Sequence, residues 1–101
     1  MKIVFTQRSI DSFEEIIDFL ILERKVPKSK AEQIKDAILN HNNVLETQPF
    51  IGQIEPYLIE LNGNHRRIIL KNIKVIYQVI EEYIYITDIF DTRQDPKKMK
   101  G

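Results

Sequence analysis

The spacing of apolar residues changes once along this chain, and that change narrows the folds open to it. From Gln7 to Arg24, Ile10, Phe13, Ile16, Ile17, Leu20 and Ile21 recur at helical spacing, with Asp11, Glu14, Glu15 and Asp18 on the other side. The pattern predicts an amphipathic helix with an acidic outer face. Val26-Pro27 interrupts it, because proline cannot continue the hydrogen-bond ladder. Ser29-Lys30-Ala31-Glu32 then has the spacing of a capping box. The second helix predicted there carries the stripe Ala31, Ile34, Ile38 and Leu45 and ends near Asn42 to Leu45. So short a connection makes the two helices an antiparallel hairpin.

After Pro56 the period shortens. Tyr57–Leu61, Arg66–Lys71, Lys74–Ile80 and Tyr83–Thr92 are rich in Ile, Val, Tyr and Leu, and are separated by Asn62-Gly63-Asn64, Asn72-Ile73 and Glu81-Glu82. They read as a meander of strands, in which Asn-Gly is the one strong hairpin turn. Lys2 to Phe5 is a further short strand, followed by Thr6 as a helix cap. Thr47 to Pro56, with Pro49, Gly52 and Pro56, reads as an ordered loop. The order β-α-α-β-β-β-β predicts an α+β fold: a helical hairpin packed on a mainly antiparallel four- to five-stranded sheet whose other face stays open. The length suits one domain spanning residues 1–101. Only the tail Pro96 to Gly101 looks loosely held.

Several chemistries are excluded. The chain has no cysteine, so thiol catalysis, thiolate metal sites and disulfides do not arise, and a reducing cytoplasm suits it. No apolar run approaches a membrane span or a signal peptide, which leads us to expect a cytoplasmic protein with no membrane partner. His41 and His65 are the only imidazoles and stand in no ligand spacing, so no metal or other cofactor is expected. Glu14-Glu15 point apart on a helix, and Glu81-Glu82 sit in a solvated turn.

Charge is balanced overall, with 15 basic and 15 acidic residues, but it is unevenly placed. Residues 62–80 hold Arg66, Arg67, Lys71 and Lys74 and no acid. Together with His65, Tyr77 and Arg93 they form the candidate site on the open sheet face. Cations beside an aromatic can hold a phosphate backbone and stack a base, and His65 has the intrinsic pKa for proton transfer. The same residues also read as solvated strand positions, with Tyr77 in the core and Arg93 paired to Asp91 or Asp95. Composition favours that second reading.

The C-terminal half resembles a known family. The run from Arg66 to Val79, Arg-Arg-Ile-Ile-Leu-Lys-Asn-Ile-Lys-Val-Ile-Tyr-Gln-Val, is followed by Ile86-Thr-Asp-Ile-Phe-Asp-Thr-Arg-Gln-Asp-Pro96. It is similar to the closing strands of RelE/ParE toxins of bacterial type II toxin–antitoxin systems, the plasmid stabilisation proteins among them. The element order and the Pro49-x-x-Gly52 loop extend the likeness over nearly the whole chain.

The resemblance implies a toxin that arrests growth and is neutralised by a cognate antitoxin wrapped over its surface. RelE-like members cleave mRNA on the ribosome as endoribonucleases (mRNA interferases), whereas ParE-like members poison DNA gyrase without enzymatic activity. Carried over by position, Arg66, Lys74 and Arg93 are the catalytic candidates, with His65, Arg67, Lys71 and Tyr77 as substrate-binding candidates. For Tyr77 a packing role comes first. Asp91 stands where many relatives have histidine, and no tyrosine or histidine follows Arg93. Both departures point toward the ParE-like branch. A degenerate module that only pairs with its antitoxin is the alternative, and a toxin without its antitoxin is open to homodimer formation.

Overall fold

Thr6 joins the first two elements, β1 (Lys2–Phe5) and α1 (Gln7–Leu22). Its hydroxyl accepts the Ser9 N–H at 3.2 Å and donates to the Ile86 carbonyl at 3.0 Å, so one side chain caps the helix and fastens its start to the sheet. The structure, a computed structural model, describes residues 1–101. α2 (Lys28–Asn42) returns alongside α1. Four more strands follow: β2 (Gln53–Ile54), β3 (Arg66–Leu70), β4 (Ile73–Ile80) and β5 (Tyr83–Asp91). The sheet order is β1-β5-β4-β3-β2, with β1 parallel to β5 and every other pair antiparallel. The expected α+β architecture and element order are therefore present.

The main core lies between helices and sheet. Phe13, Ile16, Ile38 and Leu45 meet Ile73, Val75, Tyr77, Ile84, Ile86 and Ile89. Strict alternation along β5 would turn Ile89 away from Ile84 and Ile86. A bulge prevents this: Tyr77 pairs with Ile86 and Ile76 with Asp88, leaving Thr87 as the extra residue. The shift brings Ile89 back under the helices.

Four expectations are corrected. Tyr57–Leu61 is not a strand but part of a 3-10 helix, Pro56–Leu61, because Pro56 sets its first turn and the Glu55 carboxylate accepts the Tyr57 N–H at 3.1 Å. The second strand instead lies in the predicted loop, and Asn62-Gly63 closes the 3-10 helix rather than a hairpin, with Asn62 itself at φ 56°. The capping box is unused: α2 starts at Lys28 behind Pro27, with no side-chain cap.

The far side of the sheet is also not open throughout. Leu58 and Met99 cover Ile76 and Phe90 in a second apolar cluster, and the Lys100 N–H donates to Asp88 Oδ2 at 3.3 Å. The tail is thus packed, not loose, because Met99 buries its side chain on the sheet.

Candidate functional site

Register decides which face each candidate occupies. Ile73, Val75 and Tyr77 point into the helix-side core, so Lys74 and Ile76 between them point to the opposite face. Arg66 is the cross-strand partner of Tyr77 and lies on the helix side, whereas Arg67 pairs with Ile76 and lies with Lys74. Lys71 sits at φ 56° in the tight β3–β4 turn and is exposed. Arg93 follows β5 beside Asp91. The expected convergence of Arg66, Lys74 and Arg93 on one uncovered surface does not occur, since neighbouring strand positions alternate between faces.

Four of these cations, Arg66, Arg67, Lys74 and Arg93, already have internal partners. Arg66 Nη1 donates to the Gly52 carbonyl at 2.7 Å and to the Phe50 carbonyl at 3.4 Å, and its guanidinium lies 5.2 Å from the Phe50 ring centroid. Lys74 Nζ donates to Glu55 Oε1 at 2.7 Å and stands 5.4 Å from the Tyr57 ring centroid. Arg67 Nη1 donates to the Ile54 carbonyl at 2.6 Å, and its Nε is 3.9 Å from Glu55 Oε1. Arg93 forms a two-pronged pair with Asp91, at 3.0 Å from Nε and 2.7 Å from Nη2.

Glu55 is the residue that sequence reasoning missed. Its side chain is 0% exposed, and it engages Lys74, Arg67 and the start of the 3-10 helix together. The available signal was Glu55-Pro56, an acceptor placed just before a helix-starting proline. Phe50, stacked on Arg66, carried no comparable signal.

Tyr77 is fully buried, and its hydroxyl accepts the Gly52 N–H at 2.9 Å. Burial pushes its pKa up, so the phenol stays protonated. Gly52 is required here: a Cβ would stand 2.5 Å from the Tyr77 hydroxyl and 2.6 Å from the Arg67 carbonyl. His65 is buried, its Nδ1 has no partner, and burial lowers its pKa. The imidazole therefore stays neutral near pH 7, packed against Gly63 and Gly101 instead of beside a free cation.

The hydrogen bond from Arg93 holds the Asp91 carboxyl below the usual carboxylate range. The group binds fewer protons folded than unfolded, so its contribution is complete above the unfolded value of about 4 and disappears as pH falls through the lower folded value. Asp91→Asn is expected to flatten that acid limb, measured as the urea midpoint against pH. A limb as steep as in the parent protein would show that other groups cause it.

Among the candidates read from the sequence, Arg66, Arg67, Lys74 and Arg93 are each engaged within the protein, and the imidazole of His65 is buried. A family model described as "ParE toxin of type II toxin-antitoxin system, parDE" matches residues 3–96. The chain belongs to the ParE toxin family. It is the toxin component of a type II toxin–antitoxin system, and membership of such a system implies a cognate antitoxin as partner. Among solved structures the fold is similar to a chain described as "Chromosomal ParDE TA system from P. aeruginosa". Identity is 19%, the TM-score is 0.72, and the match covers 90% of this chain and 95% of that one. No curated protein matches the sequence. No helix is long and apolar enough to cross a membrane.

Proposed function

We propose that this ParE-family toxin arrests growth by binding a protein target, DNA gyrase in the cytoplasm, and that the antitoxin neutralises it by covering its surface. It does not cut ribosome-bound mRNA. The observation that carries this is the engagement of the three catalytic candidates: Lys74 with buried Glu55, Arg93 with Asp91, and Arg66 with two main-chain carbonyls. Metal-free RNA cleavage needs a base for the 2′-hydroxyl, a cation for the charged phosphorane and an acid for the leaving oxygen. Here Arg66 and Lys74 lie on opposite faces of the sheet, Arg93 is held by Asp91 beyond β5, and the His65 imidazole is buried.

Two assays with purified toxin separate the mechanisms. Gyrase supercoiling is expected to fall, or cleaved DNA to accumulate, while translating ribosomes yield no new mRNA ends. Arg93→Ala, which lies outside the β3 edge, is expected to retain growth arrest. New mRNA ends that vanish with that substitution would establish the nuclease instead. A protein whose induction leaves growth unchanged would be a partner-binding module only.

A further inference from the structure

Half of the exposed large apolar side chains fall within residues 50–69: Phe50, Ile51, Ile54, Tyr57, Ile59, Leu61 and Ile69, out of fourteen in the molecule. Four of them, Phe50, Ile54, Tyr57 and Ile69, flank an incomplete sheet edge. β2 pairs only Gln53 with Arg67 and Ile54 with Arg66, so it covers just the first part of β3. The His65 carbonyl accepts the Glu55 N–H on that side at 2.9 Å. Alternation then turns the main-chain groups of Arg67 and Ile69 to the same edge; Gln53 stands opposite Arg67, and no strand residue stands opposite Ile69. An edge of this kind accepts an added strand.

The flanks of the edge specify what kind of strand it takes. On the helix side stand Phe50 and Ile54 with Arg66 stacked on the Phe50 ring, and on the far side stand Tyr57 and Ile69 with Lys74 above the Tyr57 ring. A strand laid on Ile69 would send alternate side chains to each group. Arg66 is bonded only to neutral carbonyls, and Lys74 and Arg67 share the single carboxylate of Glu55, so each group keeps a net positive charge beside its apolar area, and Lys71 adds a further cation at the turn. A second copy of this chain is a poor occupant: antiparallel pairing centred on Ile69 would set Arg67 against the other copy's Lys71, and like charges directly opposite are destabilising.

We propose that the free edge of β3 is the docking site through which the toxin takes its protein target, and that the docked element is an extended acidic segment with alternating apolar residues. Main-chain pairing at Ile69 supplies affinity, and the two aromatic–cation groups select acidic over basic strands. This deepens the protein-target reading above and rests on it for its link to toxicity.

The test uses the full chain and two short probe peptides, one alternating valine with glutamate and one alternating valine with lysine. Amide shifts are followed by NMR at several salt concentrations. The glutamate peptide is expected to perturb Ile68–Leu70 and to weaken as salt rises, while the lysine peptide binds at least about tenfold less. Ile69→Pro removes only an outward N–H and is compatible with an edge strand, and it is expected to weaken the glutamate peptide by about tenfold or more. Ile69→Glu, at a half-exposed position, serves as the second variant should the proline disturb folding. Equal binding of both peptides, shifts confined to β1 or the helices, or self-association through Ile69 would each overturn the proposal.

Gyrase assays on the same variants keep the two levels apart. If the parent toxin inhibits gyrase and Ile69→Glu inhibits it equally, the docking site is wrong and the protein-target reading stands. If the parent leaves gyrase untouched while the glutamate peptide still docks at β3, the choice of gyrase is wrong and the surface stands.

Discussion

Glu55→Ala is expected to destabilise the fold by about 3–5 kcal/mol, the range typical of breaking a buried pair by removing one member. The Glu55 carboxylate has no exposed surface, and the Lys74 side chain is 14% exposed, so deletion leaves an ammonium with little water to replace its 2.7 Å partner. It also removes the acceptor for the Tyr57 N–H and the anion beside Arg67 Nε, which already lacks a hydrogen-bond partner. Urea denaturation gives the value directly. The double variant Glu55→Ala with Lys74→Met is expected to recover much of the loss, because an apolar pair leaves no stranded charge. A loss for the single variant below about 1 kcal/mol would mean that Lys74 reaches solvent freely and that Glu55 does not anchor the edge.

The second large effect concerns Tyr77. Tyr77→Ala is expected to cost about 3–5 kcal/mol, as for other large aromatic truncations in a core, because the ring is 0% exposed among Val75, Ile84 and Ile86. Tyr77→Phe keeps the ring but leaves the Gly52 N–H buried without an acceptor, a loss of about 1–3 kcal/mol. Thermal or urea unfolding of both variants, measured alongside growth arrest, separates packing from function. Should Tyr77→Phe unfold like the parent protein yet lose toxicity, the hydroxyl would belong to the target-binding surface and not to the core.

Both residues show how far the sequence could be read. Tyr77 lies in an alternating apolar strand, and its packing role was visible from that period. Glu55 was invisible as a partner, because nothing local places it against Lys74, 19 residues on. Asp91 and Arg93 are two residues apart, and their pairing was among the open readings for that reason. The Tyr57–Leu61 segment misled for a physical cause: its composition suits a strand, but Pro56 and the Glu55 cap fix a 3-10 turn first. The tail misled in the opposite way. Its lysines suggest a solvated end, yet Met99 finds the far face of the sheet.

By itself the sequence determined the helix pair and the strand-rich C-terminal half, which follow from local periodicity, and its closing runs of residues carried the resemblance to the toxin family; the second strand it placed in the wrong segment. Tertiary structure alone decided how β5 is shifted by a bulge, which faces Arg66 and Lys74 occupy, and which distant groups engage them. Those outcomes depend on register and on contacts between residues distant along the chain, where moving by one position reverses every side chain.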